Sequence, residues 1–342
     1  MATPIETDAL VIGAGPVGLF QAFQLGLQGI ACHVVDALPH VGGQCAELYA
    51  DKPIYDIPGI PVCTGRELVE RLQSQLKPFP PTLHLGQTVD SLQATASGAW
   101  AVSTTQGTQW LARTVFIAAG VGAFVPRSLP IEGLNPYLGR QVWFGSQALP
   151  DFSGQHLLVT GDSDNALQTC LDALPRAASV TLMHRREHFS AEPERLQAFQ
   201  TAQAAGRVRF VAGQPTGIVQ DGEPLSGLSY LNAEGQDATF ACDQLVMALG
   251  LSPKLGPVAQ WGLAMERKQL VVNTENFATT APGIFAVGDI NTYPGKKKLI
   301  LCGFHEATLA AFGALALLRP AEKTLLQYTT TSTLLHQRLG IA

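Results

Sequence analysis

Ala9-Leu10-Val11-Ile12-Gly13-Ala14-Gly15-Pro16-Val17-Gly18 decides how this 342-residue chain is read. The four apolar residues predict a short buried strand, the three glycines a tight turn, and the apolar stretch to Leu27 a helix. A second strand, Ala31–Val35, ends at Asp36, eighteen positions after Gly18. This strand–turn–helix–strand unit suits the diphosphate of a dinucleotide. Gly13 permits the turn, Gly15 lets the backbone approach the phosphates, and Gly18 lets helix and strand pack closely. The helix N-terminus adds N–H groups and a partial positive charge, and the Asp36 carboxylate suits a free ribose diol.

A comparable unit starts near residue 156. His156–Thr160 reads as a strand, Gly161-Asp162-Ser163-Asp164-Asn165-Ala166 as its turn, Leu167–Leu174 as a helix and Val180–Met183 as the next strand. That strand runs into His184-Arg185-Arg186, basic where the first unit is acidic. An arginine pair there suits a 2′-phosphate, which points to NADPH. Two further apolar strands, Val115–Ala119 and Gln244–Leu249, end at Gly120 and Gly250, and a third, Gly283–Val287, leads into Gly288-Asp289. The expected fold is therefore α/β, with two Rossmann-like three-layer nucleotide-binding domains. The first is discontinuous, 1–117 and 251–342, and the NADPH domain, 118–250, is inserted into it.

Composition narrows the class. Hydrophobic residues are 46% and charged residues 14%, enough for large cores and far from a disordered chain. A net charge of −5 argues against a surface that coats nucleic acid. The six cysteines, at 32, 45, 63, 170, 242 and 302, are never closer than thirteen residues, so the sequence holds no CxxC pair. The run Ala307–Leu318 is interrupted by Thr308 and Gly313, so no membrane span is expected, and the N-terminus does not read as a signal peptide. The expectation is a cytoplasmic protein with no membrane partner.

Several longer stretches then carry a resemblance. Val41-Gly42-Gly43-Gln44 to Leu48-Tyr49, Lys52-Pro53-Ile54-Tyr55-Asp56-Ile57-Pro58-Gly59, Gly288-Asp289 to Lys296, Gly303-Phe304-His305-Glu306 and Gln327-Tyr328-Thr329-Thr330 occur in that order. With them the chain resembles the thioredoxin-reductase-like ferredoxin–NADP+ reductases, FAD enzymes of bacteria, over nearly its whole length. The resemblance implies FAD across the first domain. Gly13, Gly15, Val17 and Gly18 would meet its diphosphate and Asp36 its adenosine ribose. Gln44 and Tyr49 would flank the flavin, with Val89 at the adenine end and Phe124 beside the cofactor. Asp289 would take the ribityl chain, and Tyr328 and Thr330 would cover the ring. NADPH would meet His184, Arg185 and Arg186. Departures from the family pattern are Asp162 and Ser163 in the second turn and Ser190 where an arginine is common.

The resemblance also implies a homodimer and a ferredoxin or flavodoxin as electron partner. Thioredoxin reductases pass electrons through a CxxC pair, which this sequence lacks, so electrons would leave directly from the flavin to a one-electron carrier. No acid–base side chain is then required, and neither Cys45 nor His305 is expected to be catalytic. Lys296-Lys297-Lys298, the densest positive run, is a candidate docking patch for an acidic carrier, or simply a solvated turn. Two other readings stay open: an NAD(P)H:quinone or diaphorase flavoenzyme, and a flavin-binding redox protein with weakened NADPH binding.

Overall fold

The computed structural model describes residues 3–322 and 326–341. Among them are seven α-helices: α1 (Pro16–Leu27), α2 (Gln44–Glu47), α3 (Gly65–Leu76), α4 (Asp164–Ala173), α5 (Pro193–Ala204), α6 (Ile300–Leu318) and α7 (Thr333–Leu339). The chain forms two compact units, one from Met1–Ala123 with Pro253–Ala342, the other from Phe124–Ser252. The crossings at 123/124 and 252/253 fall later than the 117/118 and 250/251 drawn from sequence. At the first, the Ala118 N–H donates to the Ile12 carbonyl at 2.8 Å, which fastens the turn after the strand to the first unit.

The first unit is built on a seven-stranded sheet. Thr82–His84, Cys32–Val35, Ile5–Ile12 and Gln109–Ile117 run parallel in that spatial order. Trp100–Thr104 and Val89–Ala94 continue it antiparallel, and Ile284–Ala286 pairs in parallel with the last three residues of Gln109–Ile117. The central strands carry near-continuous apolar runs because both faces are covered. Leu10, Val11, Val34, Val35, Val115, Phe116 and Ile117 are fully buried, each contributing roughly 1.5–3 kcal/mol of burial. Phe116 and Phe285, on paired strands, stack with centroids 5.0 Å apart. The register places His84, Val35, Ile12, Ile117 and Ala286 on one rung, so five parallel strands end at the same level.

α1 begins on Pro16, whose missing N–H costs nothing at a helix start. Gly13 has φ +112°, and a Cβ there would stand 2.4 Å from the Ala118 carbonyl oxygen. On Gly18 a Cβ would meet the Gly13 carbonyl oxygen at 1.8 Å. Both glycines are thus required by close approach, as the sequence pattern predicts.

α6 corrects the expectation about apolar runs. It is one continuous helix of 19 residues, long and apolar enough by length and composition to cross a membrane. Thr308 does not break it, because its hydroxyl donates to the Phe304 carbonyl at 3.0 Å one turn earlier. Gly313 does not either: a Cβ there would press Asn276 and Phe285 at 2.9 and 3.0 Å, so the glycine serves packing. Ala307, Ala310, Ala311, Ala314 and Leu318 of this helix are buried in the first unit.

The second unit holds its own seven-stranded sheet, in the order Val142–Phe144, Gln244–Met247, His156–Thr160, Ser179–His184, Arg209–Gln220, Leu225–Asn232 and Asp237–Ala241. The first five are parallel and the last two antiparallel. α4 and α5 pack on one face, where Leu167, Cys170 and Phe199 are fully buried. The predicted strands 156–160 and 180–183 are both present, the latter one residue longer at each end.

Candidate functional site

The common level at which the five parallel strands end is where α/β sheets hold ligands, and the first unit gathers most of the predicted residues there. Asp36 lies just past Val35, with its carboxylate folded back onto the glycine turn. It accepts from the Ala14 N–H at 2.6 Å and the Leu38 N–H at 2.8 Å. Burial nonetheless dominates and holds the Asp36 carboxyl above the usual carboxylate range, the two amides only partly offsetting it. Asp36 is fixed through its backbone as well, its N–H donating to the His84 carbonyl and its carbonyl accepting from Gln87. Val89, two residues beyond Gln87, is buried at the start of its strand.

A second glycine loop lies against the first. The Gly42 N–H donates to the Ala14 carbonyl at 2.9 Å, and Gly43, with φ +53°, opens α2. A Cβ on Gly15 would meet nothing nearer than the Gly43 Cα, 3.9 Å away, and one on Gly43 would come within 3.0 Å of the Gly15 Cα. Gly15 and Gly43 thus floor an open groove that side chains would fill. From α2, Gln44 Nε2 donates to Asp289 Oδ2 at 3.3 Å, so the two predicted flavin-side residues touch. Cys45 Sγ lies 3.7 Å from the half-buried Tyr49 hydroxyl. Burial first, then the neighbouring Cys45, pushes the Tyr49 phenol up, so it stays protonated and able to donate.

Asp289 follows a peptide clamped from beneath. The Gly288 N–H donates to Glu306 Oε2 at 2.7 Å, and Lys296 Nζ donates to the Gly288 carbonyl at 2.9 Å. Glu306 is fully buried on α6 and also accepts from Asn291 Nδ2 at 2.8 Å, the Tyr293 hydroxyl at 2.9 Å and Lys296. Val17 of α1 packs on this turn, since Cβ atoms on Gly288 and Gly303 would meet its methyl groups at 3.4 and 2.4 Å. Sequence reading missed this network. Its one visible signal was a glutamate standing alone in an apolar helix.

The same network corrects the lysine run. Lys296 has a side chain only 6% exposed and is paired with Glu306, so it belongs to the interior. Lys297 and Lys298 are exposed and make no ion pair among the described residues.

Three predicted residues are not brought to this groove within the first unit. Phe124 opens the second unit. Tyr328, 64% exposed, and Thr330 precede α7, whose Arg338 donates to the Leu27 carbonyl. Leu27 is the last residue of α1, and twelve residues at 1.5 Å each separate it by roughly 18 Å from the glycine turn at the helix start. The tail is anchored at the far end of the helix.

In the second unit Gly161 has φ +145°, with no room for a Cβ beside the Ala248 carbonyl. The departures from the family pattern find local partners. Ser190 N–H donates to the Asp162 carbonyl at 2.8 Å and the Asp164 N–H to the Ser190 carbonyl at 3.1 Å, so Ser190 ties down the turn. The Asp164 carboxylate pairs with Arg195 at 3.1 Å, and that of Asp162 lies 3.7 Å from His184 Nε2. His184 also donates from Nδ1 to the Arg186 carbonyl at 3.0 Å, so both its ring nitrogens face this chain's own groups. Arg185 and Arg186 are exposed, with no ion pair among the described residues. They remain open to a ligand phosphate; His184 shapes the loop that carries them.

All six cysteines are free. Burial pushes the thiols of Cys32 and Cys242 up to about 12 and raises that of Cys45, so none of these three is a ready thiolate.

The model of the family described as pyridine nucleotide-disulphide oxidoreductase matches residues 7–308. The chain belongs to this family. Among its members, the ferredoxin–NADP reductase of Paracidovorax citrulli is 57% identical, covering 99% of this chain and 97% of that protein. The ferredoxin–NADP reductase of Albidiferax ferrireducens is 51% identical with the same coverage. The resemblance drawn from the sequence agrees with the name these oxidoreductases carry. Two solved structures show the fold alone. A thioredoxin reductase of Lactococcus lactis has a TM-score of 0.56 at 23% identity over 92% of this chain and 99% of that one. A bacillithiol disulfide reductase of Staphylococcus aureus has 0.60 at 16% identity over 91% and 99%.

Proposed function

We propose that this chain is an FAD-dependent ferredoxin–NADP+ oxidoreductase that moves electrons between NADPH and a one-electron carrier, ferredoxin or flavodoxin, without a redox disulfide. The observation that carries the reading is the first unit's groove: a floor of Gly15 and Gly43, with Asp36 and Asp289 as carboxylates on either side of the glycine turn. A dinucleotide with two polyol parts fits that arrangement, so the residues present fit FAD. Similarity at 51–57% identity, over 99% of this chain, to proteins named ferredoxin–NADP reductase supports the same assignment.

Bound there, FAD supplies chemistry that takes electrons in pairs and gives them up singly. The chain's own residues bind and orient. The Gly13–Gly18 turn and the α1 N-terminus present N–H groups to a diphosphate, with Val17 at the first turn. Asp36 accepts from ribose hydroxyls on the lone pairs its two amides leave free. Gln44 and Asp289, already bonded to each other, meet the ribityl side, and Tyr49 shields the ring. In the second unit Arg185 and Arg186 take the 2′-phosphate of NADPH by charge-assisted bonds. Hydride transfer asks no side chain to move a proton, so no catalytic acid or base is assigned.

Tyr328 and Thr330, remote from their own chain's groove, are read as covering the flavin of a second copy in a homodimer. The protein is read as cytoplasmic, with no nucleic-acid or membrane partner. The net charge of −5 and the fastening of α6 through its buried Glu306 support this.

One anaerobic titration tests the function. The purified protein should be yellow and bleach promptly with NADPH and much more slowly with NADH. Oxidised ferredoxin should restore the colour faster than a quinone does. A yellow protein that NADPH does not bleach would favour the redox protein with weakened NADPH binding; a colourless one that takes up no FAD would overturn the reading entirely.

A further inference from the structure

The buried pair of Glu306 and Lys296 is unused by the mechanism above, yet it holds both sides of one glycine. The Glu306 carboxylate receives the Gly288 N–H, and Lys296 Nζ donates to the Gly288 carbonyl, which belongs to the peptide joining Gly288 to Asp289. Gly288 adopts φ +81°, a left-handed conformation in which only glycine is relaxed. The next carbonyl, that of Asp289, accepts from Gln269 Nε2 at 3.1 Å. Four donors from this chain converge on the two Glu306 oxygens, which satisfies a carboxylate with no access to water. A buried ion pair of this kind seldom adds net stability over apolar residues, whereas removing one partner leaves an uncompensated charge. Its position therefore matters more than its strength.

We propose that Glu306 and Lys296 are positioning residues for the flavin: they clamp the Gly288 peptide and so fix the Asp289 carboxylate where the cofactor's ribityl side binds. This rests on the FAD reading. The pair acts through Gly288 and Asp289 and does not touch the cofactor. Loss of either partner frees the Gly288 backbone, and Asp289 is then held by Gln269 at its carbonyl and by Gln44 at its carboxylate.

The test is FAD affinity of the apoprotein, measured by quenching of flavin fluorescence below the unfolding range of each variant. Glu306→Gln and Lys296→Met should each raise the Kd for FAD by at least about tenfold and shift the visible flavin spectrum. The double variant Glu306→Gln/Lys296→Met should recover thermal stability relative to either single, because no buried charge remains, while its Kd stays raised. Stability and affinity would thus separate, which a purely structural role does not produce. Variants that lose thermal stability but bind FAD with the parent's Kd and spectrum would overturn the proposal. Should the singles fail to fold, Tyr293→Phe keeps the ion pair and the ring's packing on Phe277 while removing one donor to Glu306. It should raise the Kd about threefold, and a Kd equal to the parent's would overturn the proposal. If the parent itself takes up no FAD, the functional reading fails first, and the variants are not at issue.

Discussion

Asp36 shows how one side chain can serve binding at the expense of the empty protein. Its carboxyl is raised above the ordinary value of 3.8 because burial outweighs the amides of Ala14 and Leu38. A raised folded-state value means the native protein binds more protons than the unfolded chain across that window. The group's contribution to stability therefore falls as pH rises from 3.8 through the raised value and grows on acidification. Cofactor affinity should run the other way, since a neutral carboxyl is a poorer acceptor for ribose hydroxyls. FAD release on acidification should begin above the usual carboxylate range, while the apoprotein keeps its fold. Asp36→Asn should weaken FAD binding by about ten- to a hundredfold at neutral pH, lower the apoprotein's thermal midpoint because the amide nitrogen then faces one of the Ala14 and Leu38 N–H groups, and remove the acid limb attributable to this group. Equilibrium dialysis against FAD across pH checks the first, calorimetry of the apoprotein the second. Asp36 was legible because its place is set by strand-end spacing. Glu306 was not, because its meaning depends on residues ten to eighteen positions away in loops whose path no local pattern specifies.

At the scale of elements, the parallel strands were readable because a strand covered on both faces must be apolar throughout, as in Val115–Ile117 and Leu157–Val159. The antiparallel additions, Trp100–Thr104 with Val89–Ala94 and Leu225–Asn232 with Asp237–Ala241, escaped notice: their mixed burial leaves only a weak alternation. The interruption assigned to Thr308 and Gly313 failed for a different reason, as each found a tertiary or local partner that composition does not reveal. The end of Ser179–His184 illustrates what an element can still carry. Its His184 is committed to Asp162 and the Arg186 carbonyl, whereas Arg185 and Arg186 are exposed. Arg185→Ala/Arg186→Ala should therefore erase at least about tenfold of the preference for NADPH over NADH with FAD retained. The ratio of kcat/KM for the two coenzymes measures it, and an unchanged ratio would reduce the arginines to a solvated loop.

For the whole molecule, the withdrawal of Lys296 into the interior leaves Lys297 and Lys298 as an exposed pair on a chain of net charge −5. An acidic carrier approaching such a surface depends on local positive charge for steering. Lys297→Glu/Lys298→Glu should raise the KM for ferredoxin several-fold at low salt and flatten its salt dependence, while a small neutral acceptor reacts as before. Stopped-flow turnover over a range of ionic strength reads both, and an unaltered KM would remove this loop from the carrier's path. The discontinuity of the first unit carries a further consequence, for the order of events on the ribosome. The strand Ile284–Ala286 covers the edge of Val115–Ile117, yet it emerges some 170 residues later, after the entire second unit has been synthesised. Until then three of the most apolar residues in the chain wait with an unpaired edge, open to other nascent chains. The inserted unit, continuous from Phe124 to Ser252, has no such wait and can fold first. Expressed alone, that fragment should unfold cooperatively, whereas a chain stopped at Ser252 should remain protease-sensitive before Ala123 and depend on chaperones for solubility.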